Sequence, residues 1–260
     1  MKFSWKYTLV GVLAYVLFML MLFPASHLYT LVKDSIADLD VTIYGVQGTA
    51  WQGRAERVDV GDKLFQSVQW NLQMMPLLLG RLQLAISYQN PDSNVKTLLT
   101  RYMDGSLRLS NTRGRITMAE LLAMLKIPAI KLDGQLKVNM SEIRFDGKTI
   151  VDADGVIAWH SAGTQFPQKL VLGDLSAKVT TTDKGIQAVL SDAGGPLDTQ
   201  GELVLSPDGN YRFQGAFGAR EGKNSPLGRS LSMLGRMNAE QKVEVDNSGN
   251  IADFGFLVSK

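Results

Sequence analysis

Two histidines, His27 and His160, are the only imidazoles in this chain, and it has no cysteine. A hydrolytic triad needs a base beside a nucleophile. His27 falls at the edge of an apolar run, where it reads as an interfacial residue, and His160 adjoins Ser161, but neighbours on a strand face opposite sides. His160 therefore reads as a partly buried strand histidine. Gly222-Lys223-Asn224-Ser225 has the look of the end of a phosphate loop, yet Phe217 stands where the first glycine belongs and Lys223 is not followed by Ser or Thr. Asp152-Ala153-Asp154-Gly155 starts like a calcium loop, but its glycine comes too early and Gly163 holds the place of the closing Glu. A hairpin turn accounts for it. Without cysteine there is neither a disulfide nor a thiolate metal site. No catalytic, cofactor-binding or metal-ligating residue is assigned, no cofactor is expected, and the chain reads as a non-enzyme.

Arg108, Arg113 and Arg115 form the densest basic patch. With no interleaved aromatics it does not fit a nucleic-acid surface. It reads as a solvated strand edge, where charge discourages edge-to-edge pairing, with partner docking as the functional alternative. The chain carries 27 Lys and Arg against 25 Asp and Glu, a net charge of +2. That surplus is Lys2 and Lys6, so the rest of the chain is balanced and has no field to draw in nucleic acid.

The elements that must position these residues begin with Tyr7 to Ala25, YTLVGVLAYVLFMLMLFPA, an uncharged run long enough to span a bilayer as a helix. Lys2 and Lys6 precede it, whereas Lys33, Asp34, Asp38 and Asp40 follow, which predicts a cytoplasmic N-terminus. A cleaved signal needs small residues before the cut, and Phe23-Pro24-Ala25-Ser26-His27 supplies none in register. The expected order is a cytoplasmic segment 1–6, a transmembrane anchor 7–25, a juxtamembrane segment 26–39 and an exported β-rich domain 40–260, in a single-pass membrane protein.

Beyond the anchor the sequence alternates with a period of two. Leu82, Leu84, Ile86 and Tyr88 share one face; Leu107 and Leu109 alternate with Arg108 and Ser110; Leu136, Val138 and Met140 alternate with Lys137 and Asn139. The same pattern returns in Leu175, Ala177 and Val179, and in Tyr211, Phe213 and Phe217. One polar face means an antiparallel sheet covered on one side only. Asp133-Gly134, Asp146-Gly147, Asp154-Gly155 and Asp208-Gly209 read as hairpin turns. Helices are expected at Val95 to Tyr102, at Met118 to Lys126 behind an N-cap Thr117, and at Pro226 to Met237 behind Ser225. The last two open stretches that share a helix, loop, strand layout. Leu82, Leu84, Ile86, Leu107, Leu109, Leu136, Val138 and Met140 are the candidate lining of an apolar groove, because a contiguous apolar face of that size needs something to cover it.

Gly48-Thr49-Ala50-Trp51-Gln52-Gly53 frames a tryptophan between two glycines, and Phe65 and Trp70 follow. Physically this is a tight bend with an aromatic ring against the backbone. An N-terminal apolar segment followed by G-T-x-W-x-G and a second tryptophan resembles the protein N family of the bacterial type II secretion system. The C-terminal stretch Gly194-Gly195-Pro196-Leu197, Gly201-Glu202-Leu203-Val204-Leu205 and Asp208-Gly209-Asn210-Tyr211-Arg212-Phe213-Gln214-Gly215 is similar to the same family. This chain departs at Ala50, where the family carries a larger aliphatic residue, and at Phe65, where it carries leucine. The resemblance implies a non-enzymatic, single-pass inner-membrane accessory subunit, its 40–260 domain periplasmic, that supports export of folded proteins across the outer membrane. Its implied partners are other secretion subunits, of the inner-membrane platform and the outer-membrane channel. In layout the chain also resembles the AsmA-type envelope proteins, which implies a mainly β fold: a transmembrane helix feeding an extended, curved antiparallel sheet. The rival function is a lipid-binding or lipid-transport groove, with phospholipid as its ligand.

Overall fold

Period-two alternation over long stretches, punctuated by glycine, favours strands that pair with their sequence neighbours, and the computed structural model has that form. It describes residues 5–27, 41–60, 63–77, 79–124, 131–146, 149–165 and 168–250. After helix α1 (Trp5–Met21) come β1 (Val41–Tyr44), β2 (Gln47–Gly48), β3 (Gln52–Val60), β4 (Lys63–Gln73), a one-turn α2 (Met74–Leu77), β5 (Leu82–Gln89), β6 (Asn94–Arg101) and β7 (Leu107–Thr117). Then follow α3 (Met118–Met124), β8 (Leu132–Phe145), β9 (Ile150–Thr164), β10 (Leu170–Thr182), β11 (Gly185–Asp192), β12 (Leu197–Leu205), β13 (Asn210–Ala219), α4 (Pro226–Leu234) and β14 (Lys242–Asn250). The strands form one antiparallel meander in the order β1, β3, β4 and onward to β14, with β2 paired to β3.

Register carries one apolar face across the sheet. Leu84 stands opposite Leu99, Leu99 opposite Leu109, and Leu109 opposite Ile143. Leu136 stands opposite Trp159, which stands opposite Leu175. Helices α3 and α4, each inserted between two neighbouring strands, pack on this face. Leu121 of α3 joins Tyr88, Ile116, Phe65 and Val68, and Leu227 and Leu231 of α4 join Leu175, Leu197 and Val243. Between them lies a third cluster of Met140, Ala153, Val179 and Ile186.

Several expectations are corrected. The anchor expected over 7–25 stops at Met21, so α1 has 17 residues, about 25 Å of helix against a hydrocarbon core of about 30 Å. The chain leaves the helix because its next residues are used elsewhere. Pro24 bridges to Thr49, and the Ala50 amide donates to the Phe23 carbonyl at 2.9 Å. Among the described residues no helix is long and apolar enough to cross a membrane. The transmembrane helix, the single-pass inner-membrane placement and the cytoplasmic N-terminus inferred from it therefore do not stand. Lys2, the segment 28–39 and Asp40 lie outside the described residues.

The curved, AsmA-like groove does not form either. The sheet is open and uncurled, its first and last strands unpaired with each other. Two helices occupy the face that a curled sheet would have to close upon.

Val95 to Tyr102, expected as a helix, is strand β6. Its apolar residues suit helical spacing, but Val95, Thr97 and Thr100 are β-branched, and a short turn closed by Asn90 donating to the Ser93 carbonyl at 2.7 Å folds the segment back onto β5. Asp133-Gly134 and Asp154-Gly155 lie inside β8 and β9, at or beside shifts in strand register, rather than in turns. A glycine at positive φ serves a bulge as well as a hairpin. At Gly134, with φ of 105°, a Cβ would come within 2.5 Å of the His160 carbonyl oxygen. Asp208-Gly209 does turn the chain, with the Gly209 amide donating to Ser206. At the fourth position Thr149 donates to Asp146 Oδ1, and Gly147 lies outside the described residues, as do Leu125 and Lys126.

Candidate functional site

The apolar face is only partly covered. Ser225 caps α4 by accepting from the Gly228 amide at 3.0 Å, and Pro226 opens the first turn. This fixes the helix phase so that Leu227 and Leu231, one turn apart, face the sheet and are buried. Met233 and Leu234 remain 86% and 75% exposed. Beside the helix lies a half-open cavity of about 960 Å³, walled by Leu136, Ile157, Trp159, Leu175, Leu190 and Phe217 from the sheet and by Leu231 and Leu234 from the helix. Its few polar atoms are committed: Gln168 donates to the Ser230 hydroxyl, and Ser176 bonds Ser191 across the strands at 3.1 Å. The Trp159 indole donates to the Asp133 carbonyl at 2.9 Å. Such a surface takes up hydrocarbon and offers no group for proton transfer or nucleophilic attack.

Of the residues expected to line a groove, Leu136 lines this cavity. Val138 and Met140 belong to the adjoining cluster, Met140 being buried. Leu82, Leu84, Ile86, Leu107 and Leu109 share the face by register but sit on β5 and β7, clear of the cavity; Leu82 is 42% exposed. Sequence reading missed Leu190, Leu197 and Val245. The usable signal was the period-two pattern of β10 to β14 combined with the leucines of α4.

The glycine-framed bend is a docking plate for the segment leaving α1. Gly48 has φ of 92°, and a Cβ there would lie 2.6 Å from the Gln52 carbonyl oxygen. The Thr49 amide donates to that carbonyl at 2.8 Å, while Thr49 Oγ1 accepts from the Gln52 amide at 3.1 Å. Trp51 accepts through its carbonyl from the Leu72 amide at 2.6 Å, and its side chain is half-buried. Gly53 lies directly across from Trp70, whose ring would be 2.4 Å from a Cβ on Gly53. Phe65 packs with Tyr88 and Ile116. The bend is thus built from backbone contacts that admit no side chain at two positions.

The other chemical candidates resolve into structure. His160 is exposed rather than partly buried, and its Nδ1 lies 3.1 Å from Asp174. The Ser161 amide and then His160 hold the Asp174 carboxyl below its usual range. Asp152 pairs with Arg144, and Asp154 accepts from the Thr181 amide. Gly222 to Ser225 is the capping loop of α4. Among the described residues no group of three or more His, Asp or Glu could hold a metal ion. Tyr88 and Asn90 both donate to Glu120, tying α3 to β5; burial, and then Glu120, push the Tyr88 phenol upward.

No solved structure matches the chain. Among curated relatives it is 24% identical over 217 residues to "Type II secretion system protein N" of Vibrio cholerae serotype O1, covering 80% of this chain and 84% of that one. It is 24% identical over 233 residues to the protein of the same name from Pectobacterium carotovorum subsp. carotovorum, covering 88% and 90%. With that of Aeromonas hydrophila it shares 21% over 215 residues, covering 81% and 85%. The family model for "Type II secretion system (T2SS), protein N" matches residues 40–246, the whole meander but for the last residues of β14, and the chain belongs to that family.

Proposed function

We propose that this chain is a non-catalytic accessory component of type II secretion that works through protein contacts made by its sheet. Membership of the protein N family carries this reading. Family membership implies contact with other components of the secretion system. In the finer reading, the half-open cavity beside α4 receives a hydrophobic element of one such component, because its walls are apolar and its rim offers Met233 and Leu234 to a partner. A photo-cross-linker at Met233 should capture a secretion subunit in cells, and deletion of the gene should leave folded cargo in the periplasm with general export intact. Unchanged secretion together with no captured subunit overturns the reading. A second reading, uptake of a phospholipid acyl chain, is favoured by the near absence of polar lining. Native mass spectrometry would separate the two: phospholipid that co-purifies and is lost on Leu231→Glu supports the lipid.

A further inference from the structure

The face of the sheet opposite α3 and α4 carries a charge pattern that folding does not require. Arg108, Arg113 and Arg115 were expected on a sheet edge, but β7 lies in the interior of the meander, bonded to β6 and β8. A central strand needs no charge to prevent edge pairing. Arg108 has local partners, Glu142 at 3.1 Å and the Tyr102 ring. Arg113 and Arg115 have no acidic partner among the described residues. Instead Lys96 of β6 stands directly opposite Arg113, and Lys137 of β8 directly opposite Arg115. Like charges directly opposite on neighbouring strands destabilise a sheet, so two adjoining pairs of this kind oppose folding. The two arginines and Lys137 border a hollow of about 810 Å³ that Asn94, Gln135, Val138, Asn139 and His160 also line, with no carboxylate among its lining residues, although His160 at its rim is paired with Asp174.

We propose that this hollow docks an extended acidic segment of a partner protein. The spacing commits to that occupant. Arg113 and Arg115 are two residues apart on one strand, about 6.8 Å, which is also the repeat of alternate side chains in an extended peptide. Each guanidinium can hold a carboxylate through two parallel hydrogen bonds, and the flanking lysines widen the positive strip to either side. The side-chain amides of Asn94 and Asn139 offer donors and acceptors to a main chain, and Gln135, whose Nε2 donates to the Asp92 carbonyl at 3.3 Å, keeps its amide oxygen as an acceptor. A single phosphate would engage one pair and leave the other unsatisfied. The site lies on the face opposite the apolar cavity and does not rest on what that cavity holds.

The test is a titration of the full chain with a fluorescent octapeptide of alternating Asp and Ser, followed by anisotropy at low and high salt. Binding should weaken at least tenfold in Arg113→Gln/Arg115→Gln and in high salt, and stay unchanged in Lys184→Glu, on the distant turn between β10 and β11. Since the double variant removes two like-charge contacts, its Tm should equal or exceed that of the parent. Peptide binding that ignores the double variant overturns the proposal, as does a lowered Tm. Binding to vesicles containing phosphatidylglycerol but not to the peptide overturns it in favour of a membrane surface.

Discussion

Gly53 has no side chain because Trp70 occupies the space. The indole lies across the strand pair where a Cβ on Gly53 would come within 2.4 Å of its ring and 2.6 Å of the Gln47 carbonyl oxygen. This arrangement lets a large aromatic bury itself against bare backbone at the start of the meander, beside the bend that receives the segment from α1. The pair acts as a unit, so its energetics should be non-additive. Trp70→Ala should cost about 3 kcal/mol, the low end for a large aromatic because the ring is half-buried. Gly53→Ala should cost about 1 to 3 kcal/mol through overpacking. In the Trp70→Ala background the glycine substitution should cost distinctly less, the remainder being set by the Gln47 carbonyl. Urea unfolding of the four proteins measures the coupling, and strict additivity would show that ring and glycine are not partners.

At the scale of elements, the loop joining β11 to β12 depends on one carboxylate. Asp192 accepts from the Gly194 amide at 2.8 Å, the Thr199 amide at 2.9 Å and Arg220 at 2.6 Å, while Arg220 also donates to the Gly195 carbonyl at 2.6 Å. Burial alone would push the acid upward; the two amides and the guanidinium overcome this and hold it at about 2. A carboxyl depressed on folding contributes stability that is complete above its unfolded value near 3.9 and is lost as pH falls through the folded value. Between about pH 4 and 2 the loop should therefore loosen, and in Arg220→Ala the acid transition should begin at higher pH. Circular dichroism against pH checks this, and an unshifted transition would remove Arg220 from the account. The chain made the strands legible: period two marked β5, β8, β10 and β13, and Thr117 and Ser225 marked the two apolar-face helices. It did not reveal that Asp133-Gly134 sits at a register shift within β8, or that Asp154-Gly155 lies inside β9 opposite the shift at Ser141, because a positive-φ glycine suits strand irregularity and turn alike and only the partner strand decides. Nor did it reveal that Pro24 would be drawn to Thr49, a long-range pairing that shortens the apolar helix. The cavity was half legible, since Leu136 was named but the leucines of β11 and β12 come together with α4 only through the sheet.

For the whole molecule, connectivity sets the pattern of stability. Each strand pairs with its sequence neighbour, and contacts that skip a strand are few, β9 with β11 and β10 with β12 among them. Such a sheet behaves almost as a one-dimensional array, in which stability is close to a sum of neighbour interfaces rather than a single cooperative core. Helices break the uniformity: α3 ties β4, β7 and β8 together, and α4 ties β10, β13 and β14. Strands β8, β9 and β10 are the longest, at 14, 15 and 13 residues, and they carry the cluster around Met140 and Val179. At the N-terminal edge β1 has 4 residues and β2 has 2. Local opening should follow these differences. Amide hydrogen exchange is expected to be slowest across β8 to β10, intermediate in the strands under each helix, and fastest in β1 and β2. Leu231→Ala, which loosens α4, should speed exchange in β13 and β14 while leaving β5 to β7 unchanged. Uniform protection over all strands, or acceleration spread evenly by that one substitution, would mean that the meander unfolds as one cooperative unit and that the helices do not divide it.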